Sequence, residues 1–87
     1  MIYSITGVLR IKQQGFAVIE AGGVGYKVFC PLFVLLKLPA TSEQVTLLTH
    51  HHQREDSQDL YGFLTDQELS LFESLISISG VGPKSGM

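Results

Sequence analysis

The segment Gly80-Val81-Gly82-Pro83-Lys84 has the residue types of a phosphate cradle. Glycines let a backbone come close to a phosphate, successive N–H groups form an anion-binding concavity, and Pro83 is placed to open a helix whose positive N-terminus faces the same anion. Lys84 adds a point charge. Following an amphipathic segment, this order is the hairpin of a helix-hairpin-helix element, and the same five residues also fit an ordinary helix C-cap with a proline stop. A nucleotide-binding phosphate loop fits less well, because no glycine immediately precedes Lys84 and a helical pattern, not a strand, leads into it.

Arg54-Glu55-Asp56 is the second candidate. Adjacent carboxylates at a strand tip project in different directions, so they cannot easily work as a paired general acid and base. They are a charge feature, either a repulsive surface or a solvated loop tip. His50-His51-His52 invites a metal reading, but consecutive strand residues alternate faces. That leaves His50 and His52 on one side, roughly 6.6 Å apart by strand rise, with no Cys or acidic residue at ligand spacing. Two ligands do not make a metal site. The single cysteine, Cys30, cannot form an internal disulfide, which suits a reducing compartment, and it reads as a small buried hydrophobe. Neither it nor any serine sits in a nucleophile elbow.

These residues need a scaffold, and the chain supplies one in order. From Met1 to about Lys12 the residues are β-rich, with Gly7 where a strand could bulge or bend. Gln13-Gln14-Gly15 is a turn, Phe16 to Glu20 a second strand, and Gly22-Gly23 a tight turn suited to positive φ. The third strand, Val24 to Cys30, places Tyr26, Val28 and Cys30 on one face and Lys27 and Phe29 on the other. Pro31 to Leu38 is apolar and closed by Pro39, which fits a turn or two of helix acting as a plug. Val45 to His52 and, more weakly, Ser57 to Phe63 complete five strands, joined by the charged connection Gln53 to Asp56. Five short strands and one helical plug predict a mainly β fold, a closed OB-type barrel over residues 1–64.

At Thr65 the pattern changes. Thr65-Asp66-Gln67-Glu68 is a capping box, and Leu69, Phe72 and Ile76, with Leu75 beside them and Ser70, Glu73 and Ser77 opposite, predict an amphipathic helix running to Gly80. Residues 65–87 thus read as one α-helix and the truncated start of a helix-hairpin-helix domain. Pro83 to Met87 is too short to nucleate a second helix, so order should fade after Gly80 and phosphate binding by the hairpin should be weaker than in a longer chain.

The balance of 6 Lys and Arg against 8 Asp and Glu gives a net charge of −2, which excludes simple basic-patch binding of polyanions and makes any such binding local. Met1 to Lys12 lacks a basic leader, and no apolar run approaches the roughly 20 residues of a membrane span. An apolar content of 45% in 87 residues exceeds what so small a core can hide, and predicts self-association.

Taken together, MI..ITGVL, IEAGGVGYKV, TH...REDSQDLYGF and LFESLISISGVGPKS, in register over essentially the whole chain, resemble the N-terminal part of the RuvA family. Members are Holliday-junction-binding subunits of a branch-migration complex acting in DNA recombination and repair, including the SOS response. The resemblance implies a cytoplasmic, non-enzymatic, cofactor-free module whose barrel assembles a homotetramer on four-way junction DNA. A C-terminal domain absent here would bind the hexameric motor ATPase RuvB, and a junction resolvase is a further partner. It also implies that Glu55 and Asp56 form the acidic pin at the junction centre, and that Gly80, Val81, Gly82 and Lys84 form the first phosphate-binding hairpin. His51 and His52 depart from the pattern, standing where apolar or polar strand residues are expected, and so does Gly86, where a helix former would be more natural. The alternative is a stand-alone OB-fold module stacking single-stranded nucleic acid on exposed aromatics in a basic groove. Against it, Phe and Tyr fall mostly at core-like positions and bases are few. Nothing supports a small enzyme.

Overall fold

Alternating apolar residues form strands because a pleated chain sends successive side chains to opposite faces. In the computed structural model, which describes residues 1–77, that alternation becomes β1 (Ser4–Gln13), β2 (Phe16–Ala21), β3 (Val24–Phe29), β4 (Gln44–Gln53) and β5 (Gln58–Phe63). Among the described residues these five strands close a barrel in the order β1-β2-β3-β5-β4, consistent with an OB-fold. β1 is long enough to serve two neighbours, pairing with β4 from Ser4 to Val8 and with β2 from Val8 to Gln13. The barrel closes through one short parallel ladder, Val28 opposite Leu60 and Phe29 opposite Tyr61. Gly22 and Gly23, both at positive φ, make the tight β2–β3 turn.

The inward face of each strand fills the barrel: Ile5, Leu9, Ala17, Ile19, Val28, Val45 and Leu47 are buried. Thr49 is the buried polar residue among them, and its hydroxyl donates to the Ile2 carbonyl at 2.6 Å. Cys30 is buried as expected, and burial pushes its thiol up to about 12. The plug is the short helix α1 (Leu32–Leu35), which turns Val34 and Leu35 into the core and leaves Leu32 and Phe33 outside.

Gly7 does a different job from the bend the sequence suggests there. It keeps its pairing with Val45, while the register shift of β1 lies between Leu9 and Ile11. The extra residue there, Arg10, places its Nε 2.8 Å from Glu20 Oε1. A Cβ on Gly7 would collide with the backbone carbonyl of Glu20 and touch Ile19 Cγ2. Gly7→Ala is therefore expected to lower unfolding free energy by about 3 kcal/mol, because backbone has nowhere to give. Urea melts check it: the midpoint should drop at constant slope, and an unmoved midpoint would show that β1 and β2 do not approach this closely.

The second helix, α2 (Asp66–Ile76), begins with the predicted capping box: Glu68 N–H donates to Thr65 Oγ1 at 3.2 Å and Thr65 N–H to Glu68 Oε1 at 3.2 Å. Its described part ends at Ile76 with Ser77 as C-cap, short of Gly80. The Ser77 hydroxyl donates to the Ser74 carbonyl at 2.7 Å. Leu69 and Phe72 pack α2 on the outer face of β4 and β5, where the Phe72 ring lies 5.0 Å from Phe63, 5.4 Å from Tyr61 and 5.6 Å from His50. Among the described residues no helix is long and apolar enough to cross a membrane.

Candidate nucleic-acid interface

The β4–β5 connection is a tight turn because Arg54 N–H donates to the Ser57 carbonyl at 2.8 Å, leaving Glu55 and Asp56 as its two corner residues. Both are exposed, and neither carboxylate has a hydrogen-bond or ion-pair partner among the described residues. The nearest cation in sequence does not neutralise them. Arg54 turns back along the strand and donates from Nε to His52 Nε2 at 3.0 Å. An imidazole nitrogen accepting that bond must be unprotonated, and burial first, then Arg54 and His50, hold His52 below the ordinary imidazole range. The result is a turn whose corners carry two uncompensated negative charges.

The three histidines divide as strand alternation requires. His50 and His52 share the outer face with ring centroids 6.0 Å apart. His51 points inward, its Nδ1 accepting from Ile2 N–H at 3.3 Å and its Nε2 lying 3.2 Å from Gln58 Oε1. His50 Nδ1 lies 3.0 Å from Glu73 Oε2, tying β4 to α2. Among the described residues no group of three or more His, Cys, Asp or Glu is placed to hold a metal. Glu73, assigned by spacing to the polar side of the helix, thus makes a contact that only folding reveals.

Gly80, Val81, Gly82 and Lys84 lie outside the described residues, as does the expected loss of order after Gly80. Sequence reasoning also left unused a cluster on the outer face of β2 and β3. Phe16 pairs opposite Phe29, and Lys27 Nζ sits 4.5 Å from the Phe16 ring centroid and 5.3 Å from that of Phe29. The alternation that put Lys27 and Phe29 on one face was its available signal; the pairing with Phe16 was not.

Comparison with known proteins agrees with this architecture. The RuvA N terminal domain family matches residues 1–62. The chain is 48% identical over 87 residues to the Holliday junction branch migration complex subunit RuvA of Methylibium petroleiphilum, covering all of this chain and 45% of that protein. It is 42% identical over 87 residues to the subunit of the same name in Dehalococcoides mccartyi, again covering all of this chain and 45% of the relative. The counterpart in Cronobacter sakazakii is 44% identical over 84 residues, 97% of this chain and 41% of its own length. The chain therefore spans less than half the length of the curated relatives it matches.

Proposed function

The chain belongs to the RuvA N-terminal domain family, and from that premise we propose that it is the barrel-bearing part of a Holliday-junction-binding subunit, non-catalytic, that holds a four-way junction open. Residues 1–64 serve as the assembly and pin domain, and residues 65–87 begin a domain that grips backbone phosphates through Gly80, Val81, Gly82 and Lys84. A homotetramer would bring four Glu55–Asp56 turns to one centre. Branch migration itself falls to the partner motor ATPase RuvB, engaged through a further domain, and resolution to a separate resolvase.

The observation that carries this reading is the pair of carboxylates at the corners of the β4–β5 turn, without a hydrogen-bond or ion-pair partner among the described residues. A nucleic-acid binder that presents bare negative charge is built to exclude phosphate from one place while other groups hold it elsewhere. Repulsion at the centre and amide contacts at the arms recognise shape and not base sequence. The chain's small net negative charge follows from this division of labour.

Titrating a labelled four-way junction, a matched duplex and a matched single strand at two salt concentrations tests the proposal. The junction should bind about tenfold more tightly than the duplex, with a salt dependence set by its few phosphate contacts. Equal affinity for junction and duplex would sink it.

A further inference from the structure

Glu55 and Asp56 follow directly on Arg54, a cation that could neutralise either of them. It is engaged elsewhere, its Nε donating to His52 Nε2 at 3.0 Å. The two residues lie two apart on β4 and so share its outer face. His52 is half-buried there between three neighbours that bear charge or titrate. Arg54 is the first. The His50 ring lies 6.0 Å away on the same face and is itself tied to α2, Glu73 Oε2 being 3.0 Å from His50 Nδ1. Asp59 of β5 stands directly opposite His52 in the ladder.

We infer that His52 is a positioning residue for the acidic turn: its neutral imidazole holds Arg54 away from Glu55 and Asp56, and its protonated form releases Arg54 to neutralise one of them. The inference deepens the proposed junction role and rests on that reading. A neutral imidazole carries one proton on two nitrogens. With Nε2 accepting from Arg54, that proton sits on Nδ1. A second proton must go to Nε2, where it would face the Arg54 N–H, donor against donor, with two positive charges at hydrogen-bond distance. The bond is lost on protonation, and Asp59 is the anion placed to take the imidazolium. Arg54 is exposed and its side chain has no carboxylate partner among the described residues, so once free it has the two corner acids as its neighbours along the chain. Burial first, then Arg54 and His50, hold His52 below the ordinary imidazole range against the pull of Asp59. The bare turn is therefore the neutral-pH state, and acidification covers it. The other two histidines cannot take this part, because His50 is engaged by Glu73 and His51 faces inward onto Ile2 and Gln58.

The test follows the Arg54 Nε–H and the His52 ring by NMR, without DNA, as pH falls from about 7.5 to about 5, a range above ordinary carboxylate titration. The Arg54 signal should move in one step with the His52 ring. In His52→Gln, which keeps an acceptor that does not titrate, it should stay at the parent's neutral-pH position. In His52→Phe, which keeps a ring and removes the acceptor, it should sit near the parent's acid position throughout. Duplex DNA is then titrated into each protein at both ends of the range. At about pH 7.5 His52→Phe should bind duplex about threefold more tightly than the parent, the effect of covering one charge at the aqueous limit, and His52→Gln should match the parent. Adding Glu55→Gln and Asp56→Asn should abolish the advantage of His52→Phe, which a merely structural effect would not do. At about pH 5 the parent should converge on His52→Phe and part from His52→Gln, with His50 and His51 common to all three. An Arg54 signal indifferent to His52 overturns the inference and leaves the junction reading untouched. So does unaltered duplex binding in His52→Phe where the Glu55→Gln, Asp56→Asn protein binds more tightly than the parent. If that double variant binds duplex no more tightly, the pin reading itself fails and the role of His52 falls with it.

Discussion

Replacing Glu55 with Gln and Asp56 with Asn together is expected to tighten binding to duplex and junction DNA alike, and to narrow the difference between them. The sign is what discriminates. A carboxylate about 6 Å from a phosphate is repelled by about 0.7 kcal/mol in water and by nearer 3 kcal/mol at an effective dielectric of about 20. Even at the aqueous limit, removing two such charges raises affinity about tenfold. The gain should shrink as salt rises, since the Debye length is about 8 Å at physiological ionic strength. The folded state should be indifferent to the change, because neither carboxylate has a hydrogen-bond or ion-pair partner among the described residues and the turn is closed by backbone of Arg54 and Ser57. Thermal melts of the double variant should overlay those of the parent, so that any change in binding is electrostatic. A merely solvated loop tip would leave affinity unchanged, and a metal or catalytic role would lower it. Unchanged or weakened duplex binding at low salt rejects the pin.

Light scattering of the chain at micromolar concentration should give a mass near four times the 9.6 kDa of one protomer. The apolar surplus seen in the composition has a location. Leu32 is 68% exposed and Leu36 75%, and Phe33 of α1 lines a groove with Leu71 and Leu75 of α2. An apolar groove bridging two helices, with exposed leucines on the first of them and at its C-cap, is what a small barrel hides by assembly. Burying one leucine fully is worth about 2 kcal/mol, or roughly thirtyfold in an association constant. Leu71→Glu, at a position 62% exposed in the protomer, should leave the protomer folded, with its circular dichroism spectrum unchanged, and shift the mass toward the monomer. A monomeric parent would count against assembly altogether, and an undiminished mass in the variant would move the interface off this face.

Much of the barrel was legible because its determinants are local. Alternation along Phe16 to Glu20 and Val24 to Cys30, the Gly22-Gly23 turn, the proline-led plug at Pro31 and the Thr65–Glu68 capping box each act within a few residues of chain. Their geometry follows from pleat and helix periods alone, and five such strands with a plug leave a small barrel as the natural closure. The charge of Glu55 and Asp56 and their place in a strand connection were legible for the same reason. Family resemblance went further, attaching roles to those positions and to Gly80, Val81, Gly82 and Lys84.

Which side chains meet across strands was settled by register between segments far apart in the chain, and no local pattern encodes that. The irregularity expected at Gly7 sits at Leu9–Ile11 because β1 must change neighbours from β4 to β2, and Gly7 is instead demanded by the Glu20 carbonyl lying against it. Arg54 leaves the two acids bare because His52, two residues back on the strand, offers an acceptor at 3.0 Å. Glu73 meets His50 because Phe72 seats α2 on Tyr61 and Phe63, and Phe16 meets Phe29 because β2 and β3 pair in one register and not the next. A slip of one residue would exchange every inward and outward side chain of a strand, so barrel packing selects the register and, with it, the charged turn and the Phe16–Phe29 pair.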